Sequence, residues 1–270
     1  MFQTVGIIGT GAMGSAIAAL AADDPNVTLL LSNRTEEKAR ALAATLRAHV
    51  STNTEIAQRC DLIVLAVKPQ IMPDVLREVA PVLAARQSRF VLVTPAAGLT
   101  IASIRALAGG AYPVIRIMPN TPIAIGAGII AYCSEGVDDG ELAAFCKLVA
   151  HAGTVEPLPE HLMDAGSALF GCGPAFVDLF IEALADGGVA CGLPRKTALR
   201  FAAQTVEGAG KTARISGQHP GALKDVVCSP AGSTIQGVRA LEKGGFRSAA
   251  MEAVIAAYER NLELKKGEQP

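Results

Sequence analysis

Two stretches near opposite ends of this 270-residue chain hold residue types at spacings that could do chemistry. The first is Ser229-Pro230-Ala231-Gly232-Ser233-Thr234. Ser229 followed by Pro230 reads as a helix N-cap with proline at the first helical position. Gly232 allows close approach to the backbone, and Ser233 and Thr234 put two hydroxyls in the same first turn. Free N–H groups at the positive end of a helix dipole, with hydroxyls beside them, favour a small anion such as a carboxylate. An ordinary capped helix has the same look, so this segment gains meaning only beside the second. Gly9-Thr10-Gly11-Ala12-Met13-Gly14 fits G-x-G-x-x-G, after a strand pattern and opening a helix pattern. Gly9 permits the tight turn and Gly11 lets a pyrophosphate reach the backbone. Gly14 lets helix and strand pack closely, and Thr10, Ala12 and Met13 complete the loop.

The next strand pattern ends in Ser32-Asn33-Arg34-Thr35, about 20 residues beyond the fingerprint, where an NAD site usually carries Asp or Glu. Here Arg34 offers a planar fork for a 2′-phosphate, with Ser32 and Asn33 as further donors, so the pattern favours NADP(H) over NAD(H). Ala66-Val67-Lys68-Pro69-Gln70 closes a later strand at the edge where open α/β sheets bind ligands. Thr94-Pro95-Ala96-Ala97-Gly98 and Arg116-Ile117-Met118-Pro119-Asn120-Thr121-Pro122 close two more. Lys68, Pro69, Ala96, Ala97 and Asn120 are thereby candidates to line the nicotinamide end. No Ser-His-Asp order, paired-carboxylate motif or metal cluster stands out around His49, His151, His161 and His219, and metal ligands are not expected. Such poor acid–base equipment suits a reaction whose chemistry lies in cofactor and substrate, such as hydride addition to a protonated imine.

The elements that must position these residues alternate. Strand patterns at Val5–Ile8, Val27–Leu31, His49–Ser51, Leu62–Val67, Phe90–Val93, Val114–Ile117 and Gly128–Ala131 are interleaved with helix patterns. The helices include Ala12–Ala22, Thr35–Ala48, one from Thr54, and Asp138–Ala150. Near-continuous apolar strands imply a parallel sheet covered on both faces, a doubly wound α/β domain. After Pro157-Leu158-Pro159 the strand signals stop and the chain is helical. Breaks are expected at Gly171–Pro174, Gly192–Pro194, Gly217–Gly221, Ser229–Gly232 and Gly244-Gly245. The boundary is drawn near residue 156, giving a cofactor domain over 1–156 and an all-α domain over 157–270. The tail Lys265–Pro270 reads as frayed.

Composition narrows the function classes. Lys plus Arg number 24 and Asp plus Glu 25, and Trp is absent, which gives no reason to expect nucleic acid. No apolar run reaches the ~18 residues of a spanning helix, and no signal peptide opens the chain, so a cytoplasmic protein with no membrane partner is expected. Cys60, Cys133, Cys146, Cys172, Cys191 and Cys228 show no C-x-x-C spacing and read as small buried hydrophobes in a reducing compartment. The apolar helices of the second half imply a surface that meets another subunit.

Over nearly its full length the chain resembles the pyrroline-5-carboxylate reductase family. The resemblance is carried by the segment Gly6–Gly14, by Ala66–Gln70, Ala96–Gly98 and Arg116–Pro122, and by Gly171–Phe176 and Glu182–Gly188. His219–Asp225 leads into the Ser229–Thr234 socket and on to Leu241–Arg247, the family's signature region. The resemblance implies a Rossmann-type N-terminal domain and a C-terminal helical dimerisation domain. The implied reaction is NAD(P)H-dependent reduction of 1-pyrroline-5-carboxylate to L-proline, the last step of proline biosynthesis. It also implies that the socket holds the substrate carboxylate, with Thr234 near the ring nitrogen as the catalytic residue. The expected assembly is a homodimer, with a decamer of five dimers as the larger form. The family commonly has Ser where Cys172 stands and Gly-Gly-Thr where Gly232-Ser233-Thr234 stands. A β-hydroxyacid dehydrogenase, the nearest rival, resembles a pattern with a lysine on the first interdomain helix, and Glu160–Val189 contains none. A non-catalytic NADP-binding regulator is the alternative from another class.

Overall fold

Ile7 and Ile8 are both buried, yet they face different layers, and that alternation organises the first part of the chain. Ile7 joins Ile17 and Phe145 on one side of a sheet, and Ile8 joins Ile56 and Leu76 on the other. In the computed structural model, which describes residues 2–267, the chain runs β1 Thr4–Ile8, α1 Ala12–Ala22, β2 Thr28–Ser32, α2 Glu36–Leu46, β3 His49–Val50, α3 Asn53–Arg59, β4 Leu62–Leu65 and α4 Met72–Ala85. It continues through β5 Val91–Thr94, α5 Ile101–Ala108, β6 Val114–Pro119, β7 Gly128–Glu135, α6 Asp139–Leu148 and β8 Gly153–Pro157. The sheet order is β3-β2-β1-β4-β5-β6-β7-β8, and every residue of β4, β5 and β6 is buried, as covering on both faces requires. The doubly wound reading is thus observed.

Two details of the sheet differ from the sequence reading. The strand from Gly128 is antiparallel to β6, because residues 120–127 form a short 3₁₀ turn ending in a left-handed Gly126. A parallel return needs a crossover of a dozen or more residues. The eighth strand, Gly153–Pro157, pairs in parallel with β7 and was not expected, since its short and largely unburied sequence lacks the apolar run of its neighbours.

The helices that follow are α7 Met163–Gly166, α8 Gly173–Ala190, α9 Arg195–Ser216, α10 Pro220–Val227, α11 Ser233–Lys243 and α12 Phe246–Gly267. The expected breaks at Gly192–Pro194, Ser229–Gly232 and Gly244-Gly245 fall between helices, whereas Gly173-Pro174 and Pro220-Gly221, the ends of the other two, open α8 and α10. Residues 268–270 of the expected frayed tail lie outside the described residues. The chain divides into two compact units, with Gly171 ending the first, Cys172–Ala257 forming the second, and the residues from Tyr258 grouped with the first. The split thus falls later than the boundary near 156, which coincides with the end of β8. Residues past that point stay with the sheet because Glu160 binds Arg116 and Met163 packs on Met118. In the second unit α8 and α9 meet at Ala185, Ala198 and Ala202, and Phe180 stacks on Phe246 at 5.4 Å.

Against the expectation of no spanning-length run, Glu160–Ala190 holds an 18-residue window of mean hydropathy 1.6, of which 11% is buried. Phe, Leu, Val, Ile and Ala raise the average although single polar residues interrupt the run. A bend at Cys172 separates the π-turn Ser167–Gly171 from α8. The cysteines also depart from expectation, since Cys60 alone is fully buried and Cys191 is exposed; all six are free thiols.

Candidate active site

The glycine loop has the geometry its spacing implies. Gly9 takes φ +101°, and a Cβ there would lie 2.6 Å from the Ala66 carbonyl oxygen. A Cβ on Gly14 would lie 1.9 Å from the Gly9 carbonyl oxygen, so α1 meets β1 only without a side chain. At Gly11 a Cβ would meet nothing within 4 Å, which leaves the approach to the backbone open. Gly11 is the N-cap of α1 and no side chain caps it, so the first-turn amides are available to an anion. The Thr10 hydroxyl is buried without a partner.

Beside this loop lies a cavity of about 1060 Å³. It brings together Gly9, Thr10, Gly11, Ser32, Asn33 and Arg34 with the strand-end residues Ala66, Val67 and Lys68. Ala12, Met13 and Gly14 form the first turn of α1 and are not part of its lining, and Pro69 opens the 3₁₀ turn after Lys68. Arg34 is exposed and has no hydrogen-bond or ionic partner among the described residues. Asn33 ties the two turns together, accepting from the Thr10 amide at 3.1 Å and donating to the Thr35 carbonyl at 2.9 Å. The orphaned hydroxyl, uncapped amides, open face at Gly11 and unpaired guanidinium all fit a dinucleotide phosphate.

Lys38 in the first turn of α2 and Asn53 at the start of α3 line the same cavity and escaped the sequence reading. Lys38 belongs to no motif; it comes near Arg34 because α2 starts two residues after it, with Thr35 as the N-cap. Asn53 belongs to no motif either. The other strand-end loops do not reach the cavity. Ala96 is buried, its amide donating to Thr94 Oγ1 at 3.2 Å, and Ala97 is exposed in the turn before Gly98. Asn120 spends its amide inside the protein, accepting from the Ile129 N–H at 2.8 Å and donating to the Phe170 carbonyl at 3.0 Å. Arg116 is fully buried on β6, with Nη1 donating to Glu160 Oε1 at 3.1 Å and Nη2 3.9 Å from Asp164 Oδ1. The same Glu160 oxygen accepts from the Ile101 amide at 2.8 Å, which fixes the start of α5.

The socket in the second unit is built differently from the expected capped helix. Helix α11 begins at Ser233 with Gly232 as its N-cap, so Ser229 is not the cap and Pro230 is not the first helical residue. Instead, Ser229–Gly232 form a turn closed by the Gly232 amide donating to the Ser229 carbonyl at 3.0 Å. Proline presets φ at the second turn position, and Ala231 follows at φ +57°, a left-handed value that no helix start can contain. A Cβ on Gly232 would lie 2.4 Å from Ser229 Oγ, so glycine keeps the serine hydroxyl close to the helix start. No side chain caps α11, and Ser233 and Thr234 are exposed in its first turn. Uncapped amides and hydroxyls therefore share one place, as the anion reading requires.

Comparison with known proteins bears on both halves. Residues 160–264 match the sequence model for pyrroline-5-carboxylate reductase dimerisation, and residues 4–98 match that for coenzyme F420-dependent NADP oxidoreductases. The chain is 39% identical to the pyrroline-5-carboxylate reductase of Pisum sativum, covering 97% of this chain and 96% of that one. It belongs to the pyrroline-5-carboxylate reductase family. The Synechocystis member is 40% identical, covering 97% of this chain and 98% of that one. The NADP-bound Plasmodium falciparum structure, 34% identical, superposes with a TM-score of 0.83 over 96% of each chain. The family assignment stands against the hydroxyacid dehydrogenase reading, as does the lysine-free Glu160–Val189 stretch.

Proposed function

We propose that this chain reduces 1-pyrroline-5-carboxylate to L-proline with NADP(H), closing proline biosynthesis, and that NAD(H) is the weaker cofactor. The supporting observation is an open phosphate-binding loop with an unpaired Arg34 beside it, in a chain of this family. When bound, the reduced nicotinamide supplies the hydride that adds to the C=N carbon. The protein's part is binding and orientation. The amides of Gly11 to Gly14 hold the pyrophosphate and Arg34, with Lys38, holds the 2′-phosphate. The uncapped amides at Ser233 and Thr234 hold the substrate carboxylate, and the hydroxyls of Ser229 and Thr234 add hydrogen bonds. The Thr234 hydroxyl orients the ring nitrogen, which already carries its proton, so no general acid is required to protonate it. The strand-end residues Pro69, Ala96, Ala97 and Asn120 lie outside the cavity beside the glycine loop and are the candidates for the nicotinamide end.

The exposed apolar residues of the helical unit, among them Phe201, Ile215 and Val226, support assembly of two copies through this region. We further propose that dimers assemble into decamers and that the enzyme is cytoplasmic, its six free thiols suiting a reducing compartment. Turnover with NADPH and pyrroline-5-carboxylate, set against hydroxyacids with NADP, tests the reading. Oxidation of hydroxyacids without imine reduction overturns it, and cofactor binding with no turnover of either leaves the regulator reading in its place.

A further inference from the structure

Four carboxylates, Glu36, Glu55, Asp74 and Glu78, line the cavity assigned above to a cofactor rich in phosphate. Three are matched by an arginine on their own helix, Glu36 by Arg40 at 2.5 Å, Glu55 by Arg59 at 2.5 Å and Asp74 by Arg77 at 2.7 Å. Glu78 on α4 is different. It has no cationic partner among the described residues; its Oε2 accepts from Asn53 Nδ2 at 2.7 Å, and no described residue donates to its Oε1. The Asn53 carbonyl oxygen in turn accepts from Ser32 Oγ at 2.7 Å. Ser32, Asn53 and Glu78 thus form a line from the end of β2, beside Arg34, across to α4.

An uncompensated carboxylate opposes a polyanion unless the ligand offers it a hydrogen-bond donor. Ser32 and Arg34 stand where the adenosine ribose and its 2′-phosphate belong. Beyond the ribose, away from the phosphates, comes the base. Adenine presents one exocyclic donor there, the N6 amine. We propose that Glu78 is the base-specificity residue of this enzyme, accepting from the adenine N6 amine while the Asn53 amide holds its carboxylate in place. The proposal rests on the NADP(H) reading. Hypoxanthine carries a carbonyl at the same position, so acceptor would face acceptor and binding would weaken.

The test is fluorescence titration of the apoprotein with NADPH and with its hypoxanthine analogue, deamino-NADPH. Wild type should bind NADPH about tenfold more tightly than the analogue, as one lost hydrogen bond to a charged group implies. Glu78→Gln should bring the two affinities to within about twofold, because a side-chain amide can accept from the amine or donate to the carbonyl. Glu78→Ala should do the same with both affinities lower. Glu78 is exposed, so neither change threatens folding, and the ratio is internal to each variant. Equal wild-type affinities overturn the proposal. So does a ratio that survives in Glu78→Gln, which would make Glu78 only a brace for Asn53. Wild type that binds neither nucleotide refutes the cofactor reading itself, a separate failure.

Discussion

Replacing Arg34 by alanine should sharply reduce the preference of the site for NADPH over NADH. Arg34 is exposed and unpartnered among the described residues, so its loss removes no contact that the fold uses. Stability should change by less than about 0.5 kcal/mol. A charge-assisted bond to a phosphate contributes about 1.5–3 kcal/mol. The lower end applies, because the side chain is open to solvent and Lys38 remains in the same cavity. About 1.5 kcal/mol corresponds to a little over tenfold in Kd for NADPH. NADH lacks the 2′-phosphate, and its Kd should move by less than about twofold. Titration of wild type and Arg34→Ala with both nucleotides, at low and high salt, reads this directly. The wild-type preference should shrink as salt rises, and Arg34→Ala/Lys38→Ala should lose further NADPH affinity with little change for NADH. Equal losses for both nucleotides, or an unchanged NADPH affinity, would show that these cations do not read the phosphate.

The buried Arg116 depends on Glu160, so Glu160→Ala should destabilise by about 2–3 kcal/mol, less than a fully enclosed pair because Glu160 is 34% exposed. Arg116→Met/Glu160→Gln should recover most of the lost melting temperature, and an unstable double variant would contradict the account. Thr234→Ala should lower kcat/KM by roughly ten- to hundredfold while leaving NADPH affinity in place; full activity, or NADPH binding lost in step with activity, would remove Thr234 from the substrate. Burial pushes the Cys60 thiol up to about 12 from an ordinary 9.0. The folded state therefore keeps a proton that the unfolded chain releases above pH 9, so this contribution to stability is complete below pH 9 and is lost as pH rises towards 12. Melting curves of Cys60→Ala should show a shallower decline between pH 9 and 11, and an unchanged slope would argue against the burial effect.

The doubly wound sheet was legible because burial on both faces writes itself as apolar runs, and Leu62–Leu65, Val91–Thr94 and Val114–Pro119 are buried throughout. Gly128–Glu135 carries a similar run, but its direction is set by the length of the preceding connection, not by composition. Gly153–Pro157 went unseen because an edge strand, paired on one side, needs no apolar run. The cofactor loop was legible for a related reason. Each glycine answers a constraint local to the motif, as the 1.9 Å approach at Gly14 shows. Asn53 and Glu78 come from separate helices and reach the cavity only through the packing of α3 and α4, which no spacing encodes.

The socket marks the boundary between the two kinds of information. A Ser-Pro pair is equally at home before a helix and in the first half of a turn, because both use a proline with φ near −65°. What separates them is the next residue. Alanine at that point favours the helix, yet Ala231 sits at φ +57°. A non-glycine residue held there costs of order 1–3 kcal/mol and persists only where its surroundings impose it. Its effect is to close the Ser229–Gly232 turn, which sets Ser229 Oγ close against Gly232 and delays the helix to Ser233. Had Ser229 been the cap, its hydroxyl would have satisfied an amide of the first turn and competed with the ligand. Displaced into the turn, it leaves those amides uncapped. An anion socket requires amides that the protein itself does not satisfy, and the Ser229–Gly232 turn leaves the first-turn amides of α11 in that state.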